Sequence, residues 1–282
     1  MRADLHVHSN ASDGTDPPAE VIRRAVRAGL DVLALTDHDT VAGHAEARQA
    51  LAGNGGLILV PGLELSCQMD GRSLHLLAYL FDPDHAELAA ELGRIRDDRV
   101  LRARAMVGRL TELGVDVSWD QVAALAGPAV IGRPHIARAM TASGAIAAPG
   151  EAFTADWIGE GGRAYVSRYA LDPVRAIGLV RAAGGAAVLA HPRAGRPWLT
   201  SDEQIAGLAA AGLAGVEVFH PDHSASERAR LLALARDLGL LAGGGSDDHG
   251  HLSGHRVGCD IAADGVYQSL VSMTTGARPT RG

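Results

Sequence analysis

Two histidines, His6 and His8, stand one residue apart at the end of the short apolar run that opens the chain. Side chains alternate between the faces of a strand, so both imidazoles point the same way and can share one cation. Alone, such a pair could as easily be two surface histidines, but the residues that follow have the same chemistry. Asp13 lies in the next loop. Thr36-Asp37-His38-Asp39 and Pro61-Gly62-Leu63-Glu64 close two further apolar runs, and a fourth carries His75. Ala190-His191-Pro192 and Ser246-Asp247-Asp248-His249 close two later ones. The candidate ligands are His6, His8, Asp13, His38, Glu64, His75, His191, Asp247 and His249. Nitrogen and oxygen donors without a thiolate suit two or three divalent cations of intermediate hardness. Manganese is the first choice, with ferrous iron or zinc as alternatives, ahead of copper or calcium. Three carboxylates, one of them able to bridge, would offset much of the cationic charge. Close cations lower the pKa of bound water, so a hydroxide bridging them is the expected nucleophile.

Bringing such residues together requires a scaffold whose strand ends converge. Strands are predicted at Ala3–His8, Asp31–Thr36, Leu57–Leu63, Ser73–Leu80, Arg163–Ser167, Ala186–Ala190, Gly215–Phe219 and Leu240–Gly244, with helical stretches such as Pro18–Ala28 and Ser226–Leu238 between them. This alternation predicts an α/β fold with a parallel sheet, and seven or eight units predict closure into a barrel whose C-terminal strand ends share one mouth. His75 fits that rule badly, because it comes early in its strand. The alternation breaks over residues 83–162. There Leu88, Leu92 and Ile95, then Val107, Leu110 and Leu113, have helical spacing, and shorter helices are predicted around Trp119–Ala126 and Pro134–Ser143. The layout is a barrel of residues 1–82 and 163–282 with a helical insertion, 83–162, forming part of the substrate pocket. Arg94, Arg96, Arg99, Arg102 and Arg104 interleave with Glu91, Asp97 and Asp98, which predicts a solvated helix face. The tail Thr275–Gly282 is expected to fray.

Composition narrows the chemistry. A net charge of −7 over 282 residues opposes a broad duplex-DNA surface, although it permits a small anion held by a few arginines. All 26 basic residues are arginine. Without lysine there is no Schiff base, no P-loop lysine and no carbamylated lysine to bridge metals, and the last point weakens an amidohydrolase reading. Cys67 and Cys259 form no CxxC motif. The opening residues lack a secretory pattern, and no apolar run reaches the ~18 residues of a membrane span, so a cytoplasmic location without a membrane partner is expected.

Together, the HxH, TDH, glutamate, histidine and terminal SDxH motifs resemble the PHP (polymerase and histidinol phosphatase) superfamily along the whole chain. The resemblance implies a distorted (β/α)7 barrel with a trinuclear site. His6, His8, Glu64 and Asp247 would hold one cation, Glu64, His75 and His191 a second, and Asp13, His38 and His249 a third. Many relatives read SDFH where this chain has Asp248, which could compete as a ligand or orient one. Asp37 is expected to orient the cluster. His44, His85, His251 and His255 are expected to be solvated or supporting, and His220 and His223 to contact substrate or support ligands.

A phosphate ester also needs cations for its oxygens. Arg133, in Ile131-Gly132-Arg133-Pro134-His135, precedes a predicted helix start, and Arg193 and Arg196 follow His191. The GRPHIA stretch resembles a subgroup that removes the 3′-phosphate from nucleoside 3′,5′-bisphosphates and trims short 5′-phosphorylated RNAs. The expectation is therefore a metal-dependent phosphoesterase acting on a small nucleotide or short single-stranded RNA, with no protein partner. Arg133, His135, Arg193 and His223 would contact substrate, and His191 or a cation would assist the leaving oxygen. The alternatives are an L-histidinol phosphate phosphatase, whose cationic substrate calls for carboxylates at the rim, and a non-catalytic metal-binding module.

Overall fold

Seven strands follow one another in chain order around a nearly closed sheet in the computed structural model, which describes residues 1–52, 56–194, 200–252 and 254–282. They are β1 (Ala3–Val7), β2 (Val32–Leu35), β3 (Ile58–Met69), β4 (Arg72–Tyr79), β5 (Ala186–Leu189), β6 (Gly215–Phe219) and β7 (Leu241–Gly244). A short β8 (Thr280–Arg281) pairs with β3 off this path. Helices α1 (Pro18–Arg27), α2 (His44–Leu51), α3 (Ala86–Glu112), α4 (Trp119–Ala126), α5 (Arg133–Ala142), α6 (Pro173–Ala182), α7 (Asp202–Ala210), α8 (Ala225–Leu238) and α9 (Val266–Met273) complete the described elements. None of the described helices is long and apolar enough to cross a membrane.

The chain forms two compact units, Met1–Ala90 with Ala170–Gly282, and Glu91–Tyr169. In the first unit, β1 and β2 are buried throughout, which explains their nearly continuous apolar sequence. Main-chain bonds join β1 to the segment that follows β7. The His8 N–H donates to Asp248 O (3.0 Å), the Asp247 N–H to His6 O (2.8 Å) and the Ala262 N–H to Ala3 O (2.9 Å). Gly245 makes this approach possible, since a Cβ there would lie 2.5 Å from the His6 nitrogen and Cβ.

The sheet is not wholly parallel. β4 runs antiparallel to both β3 and β5, while the other neighbours along the path are parallel. The start of β4 therefore lies where β3 and β5 end, and this reversal puts His75 at the mouth. Because β4 pairs directly with β5, no strand forms at Arg163–Ser167. Ala164, Tyr165 and Val166 instead pack into the apolar core of the second unit. The carbonyls of Tyr165 and Val166 accept from the Arg109 and Arg102 guanidinium groups rather than from a neighbouring strand. The second unit accordingly begins and ends later than the expected 83–162 insertion. The tail is also ordered by pairing. Besides β8, the Gly282 N–H donates to Leu57 O at 3.1 Å.

The core of the second unit contains Met106, Leu110, Val122, Ile136, Met140 and Ile158. Ser118 and Gln121 form a reciprocal cap at the start of α4. The α3 face is less solvated than its charge pattern suggests, because Arg102 is buried.

Candidate metal centre

Glu64 lies at the centre of the histidine cluster. Its Oε2 is 3.1 Å from His38 Nδ1, 3.2 Å from His8 Nε2 and 3.4 Å from His6 Nε2. Its Oε1 is 2.8 Å from His75 Nδ1 and 2.9 Å from His191 Nε2. Strand geometry accounts for part of this, since His75 pairs across the hairpin with Ser66, which shares a face of β3 with Glu64. Main-chain bonds tie Asp37 and Asp39 to Glu64, bringing His38 to the same point. Asp247 Oδ1 lies 3.3 Å from His6 Nε2 and 3.2 Å from His8 Nε2. Asp13 lies 3.5 Å from His249 Nε2 and 3.8 Å from His38 Nε2. All nine expected residues thus converge.

Three sets offer donor atoms that could hold one cation each: His6, His8, Glu64 and Asp247; His8, Asp13, His38 and His249; and His38, Glu64 and His75. The first matches the set implied by resemblance. The others differ in detail, with His8 joining the Asp13 group and His38, rather than His191, completing the set with Glu64 and His75.

The atoms themselves fit cations. His6 Nε2 and His8 Nε2 are 3.1 Å apart, and both face carboxylate oxygens at 3.2–3.4 Å. Donors at such separations can surround an ion bonded to each at about 2 Å. His8 Nδ1, His38 Nδ1 and Asp247 Oδ1 are buried without a hydrogen-bond partner. Burial opposes ionisation of Glu64, yet His38, His75 and His6 hold its carboxyl well below the usual range. Burial likewise disfavours a charged His249, yet Asp13 and Asp247 push it up to about 10. Burial carries His38 down to about 3 in the same cluster. The carboxylates therefore demand positive charge that protons satisfy on some rings, and divalent cations can displace those protons.

Several buried acids support this arrangement without joining it. Glu217, in the middle of β6, faces His6 Nδ1 at 3.2 and 3.3 Å and accepts the His191 N–H at 2.8 Å. Asp4 accepts the Ser246 N–H at 2.9 Å and the Gly258 N–H at 2.7 Å. Sequence reasoning missed both residues, although Glu217 interrupts an otherwise apolar strand and Asp4 is the one acid in a strand whose other polar residue is His6. Asp37 accepts from the Ser9 and Ser12 hydroxyls, both at 2.7 Å, and so fixes the loop carrying Asp13. Asp248 is fully buried and accepts two bonds from Arg24, at 2.8 and 3.0 Å. His220 Nε2 lies 3.3 Å from Asp247 Oδ2, and its Nδ1 accepts the Asp222 N–H. His44 is buried against Gly62 O at 2.8 Å. Two ligand candidates, His191 (φ 25°) and Asp247 (φ 50°), have left-handed backbone, a strain often found at functional sites.

The expected substrate residues have varied surroundings. Arg133 lies over the Phe153 ring and reaches Ile158 O at 3.4 Å. His135 is buried, and its Nδ1 accepts the Gly132 N–H at 3.1 Å, which secures the first turn of α5. Arg193 binds Asp202 and Thr200 O. His223 is engaged by main chain on both sides, with Nδ1 donating to Val218 O at 3.0 Å and Nε2 accepting the Arg193 N–H at 3.3 Å. It links two loops of the barrel mouth. Arg196 lies outside the described residues.

A PHP domain model matches residues 4–99. The chain is 36% identical to a 5′-3′ exoribonuclease of Haemophilus influenzae, over 87% of this chain and 89% of that protein. It is also 36% identical to a 3′,5′-nucleoside bisphosphate phosphatase of Chromobacterium violaceum, over 90% of this chain and 89% of that protein. The fold superposes with a TM-score of 0.91 on a Bifidobacterium adolescentis protein described as a metal-dependent phosphoesterase. That protein is 33% identical, with 97% of this chain and 96% of the other covered.

Proposed function

This chain belongs to the PHP family of metal-dependent phosphoesterases, and from that premise we propose that it removes the 3′-phosphate of nucleoside 3′,5′-bisphosphates and trims short 5′-phosphorylated oligoribonucleotides. The observation that carries the chemistry is the convergence of Glu64 and the eight other ligand candidates in one cluster. The substrate class draws support from two relatives similar over most of their length.

The nine residues would hold two or three cations, with manganese assigned first and ferrous iron or zinc as alternatives. Bound there, the cations would lower the pKa of a water molecule and draw charge from the phosphoryl oxygens. Glu64 and Asp247 keep the imidazoles in register, while Glu217 fixes His6 by its outer nitrogen. His191 is assigned to the cluster, and to protonation of the leaving oxygen only while its Nε2 carries the proton it shares with Glu64 at 2.9 Å. Arg133 is assigned to the phosphate that is not cleaved, because a guanidinium binds two phosphoryl oxygens in a planar fork. His135, Arg193 and His223 are assigned to shaping the pocket through the helix turn and loops they secure. A cytoplasmic setting suits nucleotide substrates.

The test is phosphate release by metal-loaded protein from adenosine 3′,5′-bisphosphate, 5′-AMP, histidinol phosphate, a 1,2-cyclic phosphodiester and a 5′-phosphorylated trinucleotide. The bisphosphate should be fastest among the monoesters, and chelation should abolish turnover. Faster release from histidinol phosphate would remove the nucleotide assignment while leaving the metal chemistry intact.

A further inference from the structure

Beside the metal cluster, and in the same unit, lies a hollow of about 460 Å³ lined by Asp16, Glu20, Arg24, His251, His255 and Arg256. Pockets for small ligands span roughly 300–1,000 Å³, so one nucleotide unit fits. Part of its wall continues the loops of two ligand candidates, since Asp16 follows Asp13 and His251 follows His249. The Thr15 N–H donates to His249 O at 3.2 Å, and the His251 N–H donates to Thr15 Oγ1 at 3.0 Å. Gly250, at φ 70°, permits this contact, because a Cβ there would collide with Thr15 Oγ1. The hollow is thus built onto the ligand loops.

The acids of the hollow are already paired, Asp16 with Arg24, and Glu20 with Arg23 and Arg27. Arg24 is committed in turn to Asp16 and Asp248. Arg256, by contrast, is exposed and makes no ion pair among the described residues. His255 is held in place, with Nε2 3.3 Å from Asp222 Oδ1 and its ring perpendicular to that of His220. His251 is exposed and leaves an imidazole face open. A guanidinium suited to a phosphodiester and an imidazole suited to stacking on a base therefore share one hollow.

Bisphosphate and RNA differ in what the attacked phosphorus carries. In both, water adds its oxygen to phosphorus, the P–O3′ bond breaks and O3′ takes a proton. From a bisphosphate the phosphoryl group then departs as free phosphate. In an RNA it stays on O5′ of the next nucleotide, which must therefore lie beside the cluster. We propose that the hollow receives this next nucleotide of a single-stranded RNA, with its base against His251 and the following phosphodiester on Arg256. The assignment rests on the oligoribonucleotide part of the proposed function. A dinucleotide would reach His251, and a trinucleotide would reach Arg256 as well.

The test compares full-length, metal-loaded wild type, Arg256→Gln and His251→Ala. Each is assayed on adenosine 3′,5′-bisphosphate and on 5′-phosphorylated di- and trinucleotides. Arg256→Gln should lower kcat/KM for the trinucleotide roughly 10-fold, mainly through KM, because one charged phosphate contact is lost. The dinucleotide, which lacks the following phosphate, and the bisphosphate should change by less than about 2-fold. His251→Ala should weaken both oligonucleotides about 10-fold and spare the bisphosphate. Equal losses on all three substrates, or none on the trinucleotide, would overturn the subsite.

Binding supplies a readout independent of turnover. A 5′-phosphorylated trinucleotide with phosphorothioate linkages and a 3′-fluorescein label is titrated with each protein and followed by anisotropy. Its Kd should rise roughly 10-fold in Arg256→Gln. An unchanged Kd, or no binding by wild type, would overturn the proposal. Normal cleavage of the bisphosphate by all three forms, with every oligonucleotide treated alike, would keep the phosphatase reading and remove the subsite. The expected shift in Kd in a protein inactive on bisphosphates would keep the subsite and sink the phosphatase reading.

Discussion

Glu217 holds the Nδ1 edge of His6 at 3.2 and 3.3 Å, turning Nε2 of that ring toward Glu64 and Asp247. The same carboxylate accepts the His191 main-chain N–H, so one buried acid from β6 steadies a ring on β1 and the strained residue after β5. A proton on His6 Nδ1 leaves the lone pair of Nε2 for a cation.

Glu217→Gln should therefore weaken metal binding without unfolding the barrel. Glutamine has one acceptor oxygen for two donors, and its amide would face one of them. Metal affinity should fall by roughly 10- to 100-fold, the usual cost of losing a partner that orients a metal-binding histidine. Metal titration followed by circular dichroism separates this from misfolding. Wild-type affinity would remove Glu217 from any positioning role.

Most of the site was legible because its ligands follow strand ends, where motif and topology coincide. His75 resisted that logic because a parallel sheet was expected, and direction cannot be read from an isolated apolar run. Arg163–Ser167 has strand-like residues, but its carbonyls are taken by arginines of α3, a tertiary effect that local pattern does not contain. Glu217 and Asp4 carried a usable signal, a charge inside an apolar strand, yet nothing local says which metal ligand such a charge will meet. Arg102 was grouped with solvated arginines since its burial depends on where residues more than sixty positions away return.

Asp248 offers a clear choice between clamp and ligand. Both its oxygens engage Arg24, and its main-chain carbonyl receives the His8 N–H. Asp248→Ala leaves Arg24 without this partner, although Asp16 remains beside it. Losing a buried ion-pair partner costs about 3–5 kcal/mol, and the partial exposure of Arg24 should bring the loss to about 3 kcal/mol or less. The melting temperature should fall, while the number of ions bound per folded chain stays constant. Loss of one ion at temperatures where the variant is folded would make Asp248 a ligand.

Glu64→Gln should have the larger effect on chemistry. Glu64 Oε1 faces His75 and His191, while Oε2 faces His6, His8 and His38, so one neutral amide disturbs two donor groups. At least one ion per chain should be lost, and kcat should fall by more than the roughly 10- to 100-fold typical of a supporting partner. Elemental analysis and steady-state rates provide the check. Unchanged metal content and rate would place the ions away from Glu64.

Arg133 tests how substrate identity is read. The metal cluster can supply chemistry to many phosphate esters, so discrimination needs a group that responds to the second phosphate of a bisphosphate. An interaction with the uncleaved phosphate aids binding and raises KM when lost, whereas one with the reacting phosphoryl group strengthens in the transition state and lowers kcat. Loss of one charged hydrogen bond costs about 1.5–3 kcal/mol, so Arg133→Ala should reduce kcat/KM for the bisphosphate by at least ~10-fold. Metal content should stay constant, because a guanidinium is not a ligand here. An aryl phosphate, which has no second phosphate, should lose far less. Equal losses on both substrates would assign Arg133 to the reacting phosphoryl group. No loss on either would leave it with its contacts to Phe153 and the Ile158 carbonyl, as a structural side chain of α5.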